Sequence, residues 1–257
     1  MADPFVLVHG ANHGGWCWAR VAPRLRAAGH DVFTPTLTGF GERAHLLTPD
    51  VGPETLVQDV VRMIEWEELS GVVLVGHSFG ALVALAVAER VPDRLRRIVL
   101  LDGLVVEPGA PAFDALPPAA VQARTAAAEA ASGGLAYPPP GAAAFGLTDP
   151  DDIAWVDRRL TPQPLRTYAE PFPLHAPLGA GLPVTYVCCT DPAYPAVHTA
   201  HPIVRREGWE WRELATGHDA MISAPEATAA ELLRARIDPS ADDPAVESRY
   251  SDLYGHA

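Results

Sequence analysis

A chain of 257 residues, 48% of them hydrophobic, is long enough for one large domain with a real core and too short for two comfortable ones. Its formal net charge of -13 argues against nucleic acid and against an anionic membrane surface, which both call for clustered positive charge. All 19 basic residues are arginine, so Schiff-base, pyridoxal-anchoring and P-loop lysine chemistries are excluded.

Phe5-Val6-Leu7-Val8-His9 is a short apolar run stopped by Gly10 and reads as a buried strand. A helix is expected over 18–28, closed by Gly29, then a strand over 31–34 ended by Pro35, then loop over 36–53. Within 55–69, Leu56, Val60, Met63 and Ile64 fall at helical spacing. Val72-Val73-Leu74-Val75 is the most apolar strand, and a helix of small and branched residues follows over 81–90. Further strands are predicted over 98–101, 184–189 and 209–214, with a closing helix over 225–237 that has Pro225 at its start.

Strands that alternate with helices, most of them continuously apolar, predict an α/β fold: a mostly parallel six-stranded sheet with helices on both faces. The alternation breaks over 103–183, which is rich in Ala, Pro and Gly, with helices expected near 118–131, 149–160 and 162–169. An insertion of this length before the penultimate strand reads as a cap over a site. The expected organisation is a core of 1–102 and 184–238, a cap of 103–183 and a flexible polar tail of 239–257.

Cys17, Cys188 and Cys189 form neither a disulfide framework nor a zinc pattern, so reduced buried thiols in a cytoplasmic protein are expected. Met1-Ala2-Asp3-Pro4 runs directly into a strand, without the features of a signal peptide. No apolar run reaches membrane-spanning length.

Gly76-His77-Ser78-Phe79-Gly80 lies between the strand at 72–75 and the helix from 81. That is the context of a nucleophile elbow, where a serine sits on a strained strand-to-helix turn between residues small enough for backbones to pass. The amide of Phe79 then faces the space where an acyl oxygen gains charge. A serine hydroxyl needs a base, and His218, on a short loop before the closing helix, follows in the chain order this arrangement uses. His9-Gly10-Ala11-Asn12-His13-Gly14-Gly15-Trp16 follows the first strand, where a second oxyanion amide belongs; Ala11 is the expected donor. His77 reads as scaffold. His9 and His13 have no evident third ligand for a metal. His198 and His201, in a Pro-rich stretch, read as a surface pair.

These stretches resemble the α/β-hydrolase superfamily, and within it the plant methyl-salicylate-esterase and hydroxynitrile-lyase group, through His9 to Trp16, Leu74 to Gly80 and Gly217-His218. Leu37-Thr38-Gly39-Phe40-Gly41-Glu42-Arg43 and Thr216-Gly217-His218-Asp219-Ala220-Met221 are similar to bacterial esterase-like relatives. The resemblance covers 5–102 and 184–237, and the cap matches less clearly. It implies ester hydrolysis without a cofactor. In the plant relatives the triad acid follows Cys-Thr-Glu, whereas here Cys189-Thr190-Asp191 leads into Pro192, which stands where that acid would be. Asp191 is one residue early. Asp102 ends the strand before the cap, at the carboxyl edge where such sheets place their sites, and is preferred over Asp191.

The expected chemistry is therefore a serine hydrolase that cleaves a small or medium apolar carboxylic ester, thioester or lactone through an acyl-enzyme. Ser78, His218 and Asp102 are its triad, and Ala11 and Phe79 its oxyanion donors. The expected partner is a small-molecule acyl substrate, with no nucleic acid, no membrane and no metal, and with a homodimer left open. A cyclase or acyltransferase differs only in the nucleophile that resolves the acyl-enzyme. A ligand-binding protein on the same scaffold, as some plant hormone receptors resemble, would not need the intact Ser, His and acid. The lyases of the plant group use an active-site lysine, which this chain lacks.

Overall fold

The structure, a computed structural model, describes residues 3–175 and 177–236. In chain order its elements are β1 (Phe5–Val8), α1 (Ala22–Ala27), β2 (Val32–Phe33), α2 (Pro53–Trp66), β3 (Val72–His77), α3 (Gly80–Arg90) and β4 (Leu95–Leu101). There follow α4 (Pro118–Ser132), β5 (Ala136–Tyr137), α5 (Pro150–Asp157), β6 (Gln163–Pro164) and α6 (Arg166–Ala169). The chain then forms β7 (Val184–Cys189), α7 (His201–Arg206), β8 (Glu210–Leu214), α8 (Ala220–Ser223) and α9 (Pro225–Ala235).

Six strands form one sheet in the order β2-β1-β3-β4-β7-β8, and every neighbouring pair is parallel. β1, β3 and β7 are buried along their whole length, as strands covered on both faces must be. On one face α2 and α3 supply Leu56, Val60, Ile64, Leu82 and Leu85 to the core. On the other, Trp18, Leu25, Met221 and Leu232 pack beneath β1, β3 and β4. α3 is buried on all sides from Gly80 to Ala88, so small side chains let it lie close to the sheet. β8 is one of the two edge strands and carries the polar residues Glu210, Arg212 and Glu213.

From β1 the chain runs outward to β2, then crosses back to β3 on the other side of β1. The sheet direction of travel therefore reverses between β1 and β3, and their carboxyl ends open onto a crevice. The loops carrying Ala11 and Ser78 leave from those two strand ends.

Several elements differ from the sequence expectation. The helix expected over 18–28 is a 3₁₀ turn at Gly15–Trp18 followed by α1, which starts only at Ala22. The stretch expected as loop over 36–53 contains a 3₁₀ turn at Gly41–Leu46. Part of the helix expected over 162–169 is strand: Gln163 and Pro164 pair antiparallel with Tyr137 and Ala136, and helix remains only at α6. Two residues of strand pairing across the insertion outweigh the local helical pattern there. The Pro-rich stretch around His198 and His201 forms a 3₁₀ turn (Pro195–Ala200) and α7. Pro195 and Pro202 both fall in a first turn, where the missing N–H leaves no hydrogen bond unmade. The tail expected over 239–257 lies outside the described residues. No helix among the described residues is long and apolar enough to cross a membrane.

Candidate active site

β3 ends in a turn too tight for side chains at its flanks. A Cβ on Gly76 would lie 2.6 Å from the Gly80 carbonyl oxygen, and one on Gly80 would lie 2.4 Å from that of His9. Between these glycines Ser78 adopts φ +52°, a left-handed conformation that a non-glycine residue holds only under constraint. The constraint is visible. The Ser78 amide donates to Leu101 O at 3.1 Å, and Ser78 O accepts from Ala81 at 3.0 Å and from Leu104 at 2.9 Å. The elbow is thus tied to the end of β4, where Asp102 sits with φ +44°.

That tie brings three side chains into line. Ser78 Oγ lies 2.9 Å from His218 Nε2, and His218 Nδ1 lies 2.6 Å from Asp102 Oδ2. The other Asp102 oxygen accepts from the Cys189 amide at 3.1 Å, which fixes the carboxylate plane. His218 and Asp102 are each 1% exposed; Ser78 is half-buried and lines the cavity together with His218, with Asp102 behind them. Asp191, the alternative acid, is exposed, and its amide donates to Thr216 O instead. Of the two carboxylates expected from sequence, the one brought to the ring is Asp102.

Ala11 lines the same cavity as Ser78, and Phe79 follows the serine in the chain. Neither amide donates to a protein acceptor among the described residues. The loop carrying Ala11 is clamped on both sides of Asn12: the Asn12 amide donates to Gln163 Oε1 at 3.0 Å, Asn12 Nδ2 donates to Thr161 O and the Thr161 amide donates to Asn12 O, both at 2.9 Å. The Phe79 ring is buried against Tyr168 and Phe172.

A second polar layer lies behind the three residues. His13 donates from Nε2 to Asp219 Oδ2 at 3.1 Å and from Nδ1 to Ala11 O at 2.7 Å. Acceptors face both nitrogens, an arrangement that favours the imidazolium. Burial alone would lower its pKa, but the Asp219 carboxylate raises it overall. Burial likewise opposes ionisation of Asp219, while His13 draws its pKa below the usual carboxylate value. His77 donates from Nε2 to His218 O at 3.0 Å, and burial, then His218, keep it neutral. His77 is therefore scaffold to the His218 loop.

His9 does not face His13 across a metal site. It donates from Nδ1 to Gly10 O at 2.8 Å and accepts the Leu37 amide at Nε2 at 3.0 Å, and burial pushes its pKa down to about 3. Among the described residues no group of three or more His, Cys, Asp or Glu side chains is placed to hold a metal ion. His198 is exposed, but His201 is half-buried edge-on to Trp211 at 4.9 Å, so the pair expected at the surface is only partly there. Cys17, Cys188 and Cys189 are all buried and free.

Sequence reasoning missed Tyr194, whose ring stacks on His218, and the buried partners His13 and Asp219. His13 and Asp219 both stand inside the quoted motifs, so the signal was present, but their pairing across 206 residues was not. The cavity at Ser78 has a volume of about 270 Å³, and Leu104, Leu116, Ala127, Val197 and Phe145 supply its apolar wall.

The sequence model described as the alpha/beta hydrolase family matches residues 5–231. The chain belongs to the α/β-hydrolase family. It is 41% identical over 238 residues to the carbendazim hydrolyzing esterase of Nocardioides sp. (strain SG-4G), covering 89% of this chain and 97% of that protein. Methylesterase 2 of Arabidopsis thaliana is 40% identical over 96 residues, about a third (35%) of either chain. Among solved structures, an extracellular α/β-hydrolase from a Paenibacillus species, described as sharing structural and functional homology with tobacco salicylic acid binding protein 2, superposes with a TM-score of 0.81. It is 26% identical, and the match covers 92% of this chain and 100% of that one. Polyneuridine aldehyde esterase shares the fold at a TM-score of 0.71 and 18% identity, over 91% of this chain and 99% of its own. The chain is accordingly a carboxylesterase-like α/β-hydrolase.

Proposed function

We propose that the chain is a serine esterase in which Ser78 is the nucleophile, His218 the general base and acid, and Asp102 the group that orients and charge-stabilises His218. The observation that carries this reading is the continuous line from Ser78 Oγ through both His218 nitrogens to Asp102 Oδ2. His218 Nε2 takes the Ser78 proton as the hydroxyl attacks the substrate carbonyl, while Nδ1–H stays bonded to Asp102. The tetrahedral oxyanion is received by the amides of Phe79 and Ala11, both left without protein acceptors. His218 then protonates the leaving alcohol. Water, activated by the same nitrogen, attacks the acyl-enzyme, and Ser78 regains its proton from His218 as the acid departs.

Residues 103–183 act in this account as a cap. Leu116, Ala127, Tyr137 and Phe145 from that segment close the cavity over Ser78. A volume of about 270 Å³ and a largely apolar wall suit a small or medium ester, thioester or lactone that is apolar around its scissile bond. The named activities of the relatives, a carbendazim-hydrolysing esterase and methylesterases, support the same class. Ser78→Ala tests it: turnover of a simple aryl ester is expected to be lost with the thermal midpoint little changed. Retention of wild-type turnover overturns the assignment.

A further inference from the structure

In a chain with a net charge of -13, the cavity at Ser78 has an unusual wall. None of its lining residues is Asp or Glu, and Arg124 is the one among them with a permanent positive charge. Arg124 projects from α4 and is half-buried. Its guanidinium carbon lies 5.4 Å from the Tyr137 ring centre and 5.3 Å from that of Tyr168, so aromatic faces cover it. Its hydrogen-bond partners are phenols: the Tyr137 hydroxyl at a long 3.5 Å, and Tyr168.

The groups that act on this guanidinium are the phenols of Tyr137, Tyr168 and Tyr194. Burial raises all three, Tyr194 to about 12, so none is an anion near neutral pH. Among the described residues no carboxylate pairs with this guanidinium, so half-burial has cost it part of its hydration with no ion pair gained there in return. Its planar fork matches a carboxylate with two parallel N–H bonds, and the neighbouring phenols add O–H donors. We propose that Arg124, Tyr137 and Tyr168 form a carboxylate subsite in the Ser78 cavity, so that the preferred substrate is an ester bearing a carboxylate away from the scissile bond, a half-ester of a dicarboxylic acid being the simplest form.

The substrate class rests on the serine-esterase reading; the subsite itself can be tested without turnover. Monophenyl glutarate and its neutral methyl phenyl diester are titrated calorimetrically into Ser78→Ala and into the double variant Ser78→Ala/Arg124→Gln. The half-ester is expected to bind Ser78→Ala about 10-fold or more tighter than the diester, as a charge-assisted hydrogen bond provides, and the double variant is expected to lose that preference. Arg124→Lys, which keeps the charge without the fork, is expected to retain part of it. Equal binding of the two esters, or a preference that survives Arg124→Gln, overturns the subsite. The two readings fail separately. Ser78-dependent hydrolysis of both esters without a carboxylate preference removes the subsite alone. A carboxylate preference in binding, with hydrolysis persisting in Ser78→Ala, removes the nucleophile assignment alone.

Discussion

The Tyr194 ring lies flat on the His218 imidazole, with centroids 4.0 Å apart and planes inclined by 26°. His218 is held at Nδ1 by Asp102 and faces Ser78 at Nε2, so these bonds fix its position in plane and Tyr194 limits tilt out of plane. Tyr194 is a positioning residue in this account. Tyr194→Phe keeps the stacked face and is expected to hold kcat near wild type. Tyr194→Ala is expected to lower kcat by about 2- to 10-fold, the range that an aromatic pair supplies, with rescue by Phe marking the ring rather than the hydroxyl as the active part. Steady-state kinetics on one aryl ester reads both.

The acid assignment separates two nearby carboxylates. Asp102→Asn leaves the site's shape intact but offers the wrong hydrogen-bond character to His218 Nδ1. It is expected to cut turnover by about 10⁴-fold. Asp191→Asn, at an exposed position, is expected to leave turnover near wild type. Equal losses in the two variants would contradict the arrangement.

Buried His9 makes the fold sensitive to acid. Burial holds its folded pKa at about 3, against 6.5 for an unperturbed imidazole. A depressed folded pKa means that the unfolded chain binds the extra proton, so stability is full above 6.5 and is lost as pH falls below it toward 3. Once the unfolded imidazole is fully protonated, the slope from His9 is about 1.4 kcal/mol per pH unit. Urea unfolding between pH 7 and 4.5 is expected to show a shallower pH dependence in His9→Gln than in wild type. Parallel curves would show that His9 titrates alike in both states. The His13–Asp219 pair adds opposite senses. The raised His13 pKa gives stability that is full below 6.5 and fades as pH climbs through the folded value, and the lowered Asp219 pKa gives stability that fades under acid.

Much of the site was legible because its constraints are local. Ser78 could be read from the strand before it, the glycines at its flanks and the small-residue helix after it. Those same glycines are the positions where a Cβ would strike Gly80 O and His9 O. Asp102 was legible as the last residue of an apolar strand. Pro192, standing where the plant acid would be, marked the usual position as lost. What stayed hidden depends on contacts between distant segments. Gln163 and Pro164 look helical by spacing but are captured as strand by Ala136 and Tyr137. Tyr194 sits in a turn whose sequence carries no sign of His218, 24 residues on. Arg124 lies on a helix rich in alanine, and nothing in its neighbours along the chain points to a cavity shared with Ser78.

The central claim is that Ser78 is the nucleophile, and covalent labelling tests it most directly. A fluorophosphonate reagent should add to the hydroxyl that His218 activates. Peptide mapping by mass spectrometry after complete inactivation is expected to place one adduct on Ser78, and Ser78→Ala is expected to remain unlabelled. Inactivation with the adduct on another residue, or ester hydrolysis that continues after Ser78 is fully modified, would contradict the account.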